Sequence, residues 1–237
     1  TAKSIEEIPE AEAEEEKIRQ FNSVLNGLEK VDITLRSEKN IRKNAALSPF
    51  IKTAPICEVK NFVVLDTETT GLDPACNDIV EISAIRFENF KPVSLFTTLL
   101  KPNIPISERA SEISGITNEM VENSPSFSEI KSSLKDFIGN LPIVAHNASF
   151  DIKFLYASGF DFDKNTVFYD TLALSREHIT YCEKTKCKPK SYRLGNICST
   201  CDIYFDGAHR ASADALATGL LFTYIVNHTI CGVGRKK

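Results

Sequence analysis

Two acidic residues, Asp66 and Glu68, stand two positions apart at the end of the apolar run Phe62-Val63-Val64-Leu65. Strand side chains alternate faces, so positions i and i+2 point the same way and set two carboxylates side by side. Such a pair offers oxygen ligands to a hard cation. A second polar segment, His146-Asn147-Ala148-Ser149-Phe150-Asp151, follows Pro142-Ile143-Val144-Ala145 at a strand-to-helix junction. Open α/β sheets keep their site residues at such junctions. A third, His209-Arg210-Ala211-Ser212-Ala213-Asp214, opens the last apolar stretch. It brings a histidine, whose reference pKa of ~6.5 suits proton transfer near neutral pH. Taken singly, each segment is also an ordinary feature: an acid at a strand end, Asn147 or Ser149 as a helix cap ahead of a first-turn Asp151, or Ser212 as a cap.

The elements that must position these residues alternate in type. Phe62 to Leu65 reads as a strand buried on both faces. Segments 79–87 and 93–100 alternate well enough to be two antiparallel neighbours, 142–145 is a fourth strand and Val167-Phe168 a minor fifth. Segment 126–139 carries Phe127, Ile130, Leu134, Phe137 and Ile138 at helical spacing, and further helices are predicted at 150–157, 171–178, 194–201 and 212–227. The fold class is therefore α/β, a mixed five-stranded sheet with helices packed on it.

Ahead of this body lies a segment of different charge. Seven glutamates and one lysine fall in residues 1–16, whereas residues 17–52 hold eight Lys and Arg against three acids. Ile18, Phe21, Val24, Leu25 and Leu28 recur at helical spacing, so the amino-terminal region is predicted to be mainly helical up to about Gly27. Ser48-Pro49 and Ala54-Pro55 punctuate the stretch beyond it and place a boundary near residue 57, with an extension over 1–57 and the α/β unit over 58–237.

The 237 residues carry a net charge of −4 and 42% hydrophobic residues, enough for a core without staples, which excludes a disordered or disulfide-scaffold chain. No apolar run approaches the ~20 residues of a membrane span, and the first residues lack the order of a signal peptide. Seven cysteines, an odd number, fit reduced thiols, so a cytoplasmic protein is expected. An acidic total also requires that any nucleic-acid contact come from a local patch. Such a patch exists between Cys182 and Arg193, where Lys184, Lys186, Lys188, Lys190 and Arg193 face Glu183 alone and Tyr181 and Tyr192 flank them. Phosphate contact plus stacking on tyrosine suits a single strand, and a plain solvated loop is the alternative. The spacing Cys182-x4-Cys187-x10-Cys198-x2-Cys201 invites a zinc site, but Cys198 and Cys201 fall in an apolar helical stretch, where free thiols act as small hydrophobes.

Together, in this order, the three segments resemble the DEDDh group of 3′→5′ exonucleases, the DnaQ-like family that includes the proofreading exonuclease of bacterial DNA polymerase III. Asp66 and Glu68 match its first motif, Asp151 the second, and His209 with Asp214 the third; Arg210 stands where the tyrosine-type relatives place Tyr. The likeness covers roughly residues 59–229 and includes Ser114-Gly115-Ile116-Thr117, where many relatives have His or Thr at the position of Ser114, and Tyr169-Asp170-Thr171-Leu172.

The resemblance implies an RNase H-like sheet and a catalytic set of Asp66, Glu68, Asp151, Asp214 and His209. The four carboxylates would hold two divalent cations, Mg²⁺ or Mn²⁺, and His209 would act as general base. Thr67, Thr69, Leu72, His146, Asn147 and Phe150 would line the substrate, with Leu72 as an apolar wedge; core packing is the alternative for Leu72 and Phe150. The implied substrate is a DNA 3′ end, single-stranded or frayed, cleaved to nucleoside 5′-monophosphates in proofreading or repair, with a polymerase subunit as a partner. Nothing in the motifs reads a 2′-hydroxyl, so RNA trimming is the alternative, and a silent polymerase-docking module is the reading from another class.

Overall fold

The computed structural model describes residues 10–36, 41–47, 53, 56, 59–205 and 210–230, without the side chains of 10–12 and 229–230. His209 lies outside the described residues.

The sheet has strands β1 (Glu29–Lys30), β2 (Phe62–Thr69), β3 (Ile79–Glu88), β4 (Lys91–Leu99), β5 (Ile143–Ala145) and β6 (Phe168–Asp170), in the spatial order β1-β4-β3-β2-β5-β6. β2, β3 and β4 form an antiparallel meander, and β5 and β6 add in parallel beyond β2. The helices are α1 (Glu10–Asn26), α2 (Glu108–Ser114), α3 (Asn118–Val121), α4 (Phe127–Ile138), α5 (Ser149–Ala157), α6 (Thr171–His178), α7 (Leu194–Thr200) and α8 (Ala211–Ile225).

This corrects the expected strand count from five to six. The sixth, β1, belongs to the amino-terminal extension and pairs in parallel with β4 through Glu29 opposite Ser94. Its two residues are exposed and carry no apolar alternation, so periodicity had nothing to register. The extension is stitched to the body elsewhere too. Phe21 and Leu28 are buried, the Phe21 ring meets Tyr204 edge-on at 5.9 Å, and Lys17 pairs with Asp202 at 2.7 Å.

Two cores sit on the two faces of the sheet. Phe62, Val64, Ile85 and Phe87 pack under α8, whereas Val63, Leu65, Ile82 and Phe96 pack under α4 and α5. β3 is buried on both faces along most of its length, as a central strand requires. α8 can lie this close because its sheet side is built from small residues; a Cβ on Gly219 would sit 2.2 Å from the Phe87 ring. Burying α8 this way fixes its first turn over the carboxyl-terminal end of β2.

Candidate active site

The strand period places Asp66 and Glu68 on the α8 face of β2, and α8 supplies Asp214 from its first turn. One carboxylate oxygen from each of the three lies within 4.8 Å of the others. It is the one group of three or more His, Cys, Asp or Glu side chains gathered so closely among the described residues. The pairing of β2 with β3 shifts register between Glu68 and Thr69, just past the second carboxylate.

Asp151 reaches the site from the opposite face. It sits in the first turn of α5, is 4% exposed, and accepts a 2.7 Å hydrogen bond from the Thr67 hydroxyl. Thr67, pointing away from Asp66 and Glu68, thus ties Asp151 to β2.

So much negative charge in a half-buried site shifts the carboxyls upward. Burial, then the charges of Asp151, Asp214 and Glu68, hold Asp66 well above the usual carboxylate range. Burial and then Asp214 push Glu68 up to about 8, and burial raises Asp151 to about 7 against the opposing hydrogen bond from Thr67. The charged forms are therefore costly without a counter-charge, and an all-oxygen donor set fits hard divalent cations.

Beside the carboxylates opens a cavity of about 350 Å³ bounded by Thr67, Glu68, Thr69, Gly71 and Leu72 on one side and Phe150 on the other. Leu72 is 85% exposed at its lip, and the Phe150 ring leans on Phe154 at a centroid distance of 4.9 Å. The Thr69 hydroxyl donates to the Gly71 carbonyl at 2.7 Å and shapes the turn.

Known proteins resemble the chain over this same region. The family described as Exonuclease, RNase T, matches residues 63–222. The chain belongs to the RNase T exonuclease family. Its relatives include the PolC-type DNA polymerase III of Thermotoga petrophila, 40% identical over 174 residues, which are 71% of this chain and 12% of that protein. The PolC-type polymerase of Bacillus subtilis is 34% identical over 171 residues, 70% of this chain and 11% of the polymerase. The chain thus spans about an eighth of the curated relatives it matches. Among solved structures, exonuclease X in complex with 5′-overhanging duplex DNA superposes with a TM-score of 0.53 at 27% identity, covering 69% of this chain and 90% of that one. Escherichia coli exonuclease I with a dA16 oligonucleotide shares the fold, with a TM-score of 0.55 at 22% identity over 70% of this chain and 42% of that chain.

This exonuclease domain braces its site with residues outside the motifs. Glu81 on β3 stands opposite Glu68, is 2% exposed, and accepts from Arg210 Nη2 at 2.8 Å, Arg210 Nε at 3.2 Å and the Ala211 amide at 3.0 Å. A buried carboxylate thus takes the helix-start role expected of Ser212, because it reaches the free amide of the first turn and favours the positive end of the helix. Asn147 and Ser149 do not cap α5 either: the residue before the helix is Ala148, and Asn147, at φ 67°, gives its amide to Asp170 at 2.9 Å. An acid inside the apolar run Ile79-Val80-Glu81-Ile82 was the signal available in the sequence, since buried charges are seldom unpaired. Glu81→Ala should lower the unfolding free energy by about 1–3 kcal/mol through the stranded Arg210 and Ala211 donors. It should also lower kcat more than it raises KM, because Asp214 loses its fixed register; thermal unfolding with steady-state kinetics reads both. An unchanged melting temperature would mean that Glu81 supports nothing.

His146 uses both ring nitrogens within the protein. Nδ1 lies 2.9 Å from the Thr171 hydroxyl and Nε2 3.0 Å from the Tyr192 carbonyl. Burial holds its pKa below the ordinary value, and because the Tyr192 carbonyl can only accept, Nε2 carries the proton it donates there. His146 thereby pins the end of the basic loop. In that loop Lys184 pairs with Asp202 and Lys186 with Glu183, while Lys188, Lys190 and Arg193 are exposed and without ion pairs among the described residues.

Cys182, Cys198 and Cys201 are buried free thiols and Cys187 is exposed. Cys182 Sγ meets the Tyr224 hydroxyl at 3.3 Å, and burial drives the Cys198 thiol upward and Cys201 up to about 12. Cys198 and Cys201 pack in the core as small hydrophobes, and among the described residues the four thiols form no group of three placed to hold a metal ion.

Sequence reasoning passed over one whole wall of the cavity. Ser107, Arg109, Ala110 and Ile113 come from α2 and its cap. That helix is short and carries no apolar stripe.

Proposed function

We propose that the chain is a metal-dependent 3′→5′ exonuclease that hydrolyses the terminal phosphodiester of DNA and releases nucleoside 5′-monophosphates. The observation that carries the reading is the trio Asp66, Glu68 and Asp214, with oxygens within 4.8 Å of one another and the Asp66 and Glu68 carboxyls shifted upward, at the edge of a cavity of about 350 Å³. Asp66, Glu68, Asp214 and, from the far side, Asp151 would hold two ions, Mg²⁺ or Mn²⁺. Bound there, such ions supply Lewis-acid charge for phosphodiester hydrolysis. His209, by its place in the motif, takes the proton of the attacking water as the new P–O bond forms and the bond to the 3′-oxygen breaks. Leu72 and Phe150 flank the last nucleotide, and Lys188, Lys190 and Arg193 draw in the phosphates behind it.

DNA is favoured over RNA by the company the chain keeps: polymerases of the PolC type and an exonuclease solved on overhanging duplex DNA. Work in replication or repair beside a polymerase follows from the same relatives. No helix among the described residues is long and apolar enough to cross a membrane, in keeping with a cytoplasmic setting.

The deciding experiment compares initial rates on matched 5′-labelled single-stranded DNA, mispaired duplex and single-stranded RNA. A ladder shortening from the 3′ end in Mg²⁺ or Mn²⁺, absent in chelator, with both DNAs faster than RNA, is the expected result. RNA degraded faster than DNA would overturn the substrate, and no metal-dependent turnover would overturn the enzyme.

A further inference from the structure

The loop that carries Leu72 has no apolar anchor of its own. Between Thr70 and Asp78 every residue is exposed or half-buried, and Leu72 projects into solvent. The loop neck is closed by the Thr70 amide on the Asp78 carbonyl at 2.9 Å and the Asp78 amide on the Thr70 hydroxyl at 3.0 Å. Inside it, Asp73 collects the amides of Ala75, Cys76 and Asn77. The Asn77 side chain adds bonds to Thr70 and Asp73, but a loop closed by polar contacts alone, with no buried apolar side chain, opens more readily than the strands beside it unless something outside fixes it.

That fixture comes from the amino-terminal extension. Arg42 Nη1 donates to Asp78 Oδ1 at 2.6 Å, and Nη2 donates to the Pro74 carbonyl at 2.7 Å and to the Asn77 carbonyl. Asp78, 7% exposed, takes the Asn103 amide at 2.8 Å on its other oxygen, so the guanidinium joins a carboxylate that is already fixed. A planar fork meeting three acceptors is a geometry that Arg supplies and Lys does not.

The segment that delivers Arg42 is itself seated on α5, whose first turn holds Phe150 and Asp151. The Lys43 amide donates to the Ala157 carbonyl at 3.0 Å, its ammonium lies 4.7 Å above the Tyr156 ring, and it pairs with Asp161. Gly159, at φ 91°, leaves room for the strap: a Cβ there would come within 2.9 Å of the Ile41 carbonyl. One short segment therefore touches both the Leu72 loop and the helix that presents Phe150, the two sides of the nucleotide cavity.

We propose that residues 41–47 belong to the substrate-binding apparatus and that Arg42 is a positioning residue, holding loop 70–78 so that Leu72 meets the terminal nucleotide. This rests on the exonuclease reading above. Arg42 bonds to Asp78, Pro74 and Asn77 and to none of Asp66, Glu68, Asp151 and Asp214, so its loss should act on binding rather than on chemistry.

The test combines kinetics with amide exchange on the full chain. Arg42→Ala should raise KM for a single-stranded DNA 3′ end by about ten-fold and leave kcat within about two-fold, the pattern of lost substrate positioning ahead of the chemical step. Amide exchange over 70–78 should quicken by at least about ten-fold while β2 and β3 keep their protection. Arg42→Lys should fall between the two, and Gly159→Ala, which presses on the Ile41 carbonyl with Arg42 intact, should shift KM and loop exchange in the same direction. Should Arg42→Ala fail to fold, the lysine and Gly159 variants carry the test alone. Unchanged exchange over 70–78, or a fall in kcat at constant KM, overturns the proposal. A wild-type chain that degrades no DNA would instead sink the exonuclease reading, and the exchange measurement would still decide whether Arg42 holds the loop.

Discussion

Asp66→Asn should abolish mononucleotide release, by at least about 10³-fold in kcat, while the protein melts at a higher temperature than wild type in chelator. The two halves of this result have one cause. Asp66 is raised by burial first and then by Asp151, Asp214, Glu68 and Glu81 in turn. Asparagine keeps the shape and an oxygen but removes the charge, so the donor set loses a strong ligand for a hard cation. The same change removes a buried acid that costs the fold stability, because burial and then the surrounding carboxylates oppose ionisation of Asp66 in the folded state.

Activity assays on a 5′-labelled oligonucleotide and thermal unfolding in chelator read the two halves separately. Activity within ten-fold of wild type would remove Asp66 from the catalytic set, whereas lost activity with a lower melting temperature would make the effect structural. A residue kept for packing alone would destabilise when changed; one kept for chemistry against its own electrostatics does the reverse.

How much of the site was legible in the sequence depends on range and period. Asp66 and Glu68 are readable as a pair because the strand repeat of two is local, and Asp151 and Asp214 because each opens an apolar helix. Their convergence depends on α8 lying flat on β2 and β3, which the run of Ala and Gly permits but does not announce. Glu81 and Arg210 are 129 positions apart, so no local pattern links them. α2 and α3 are too short to show a helical stripe, and β1 is recruited to the sheet by backbone pairing with β4 rather than by its own side chains. The boundary placed at 57 was drawn from Pro and charge, features that say nothing about where Phe21 or Arg42 come to rest.

Metal and pH should act on stability together, with a sign set by the direction of the carboxyl shifts. Asp66, Glu68 and Asp151 have folded pKa values above the unfolded carboxylate range. An acid raised on folding stabilises fully below its unfolded pKa and loses that contribution as pH rises through the folded value. In chelator the site's contribution is therefore present near pH 4 and declines through about pH 7 for Asp151 and about 8 for Glu68. Divalent cations bind the ionised form and reverse this loss, so the stabilisation they confer grows over the same interval. At a free cation concentration of about 100 Kd, binding adds about 2.7 kcal/mol, which for a domain of this size raises the melting temperature by about 5–10 °C. The gap between melting curves in Mn²⁺ and in chelator should accordingly be small at about pH 5.5, reach that size at about pH 8.5, and shrink at the higher pH in Asp214→Asn. Other groups titrate across this range, yet they affect both curves alike and cancel in the difference. An equal gap at the two pH values, or one that Asp214→Asn leaves intact, would mean that the cation binds elsewhere and that the three carboxylates are only neighbours.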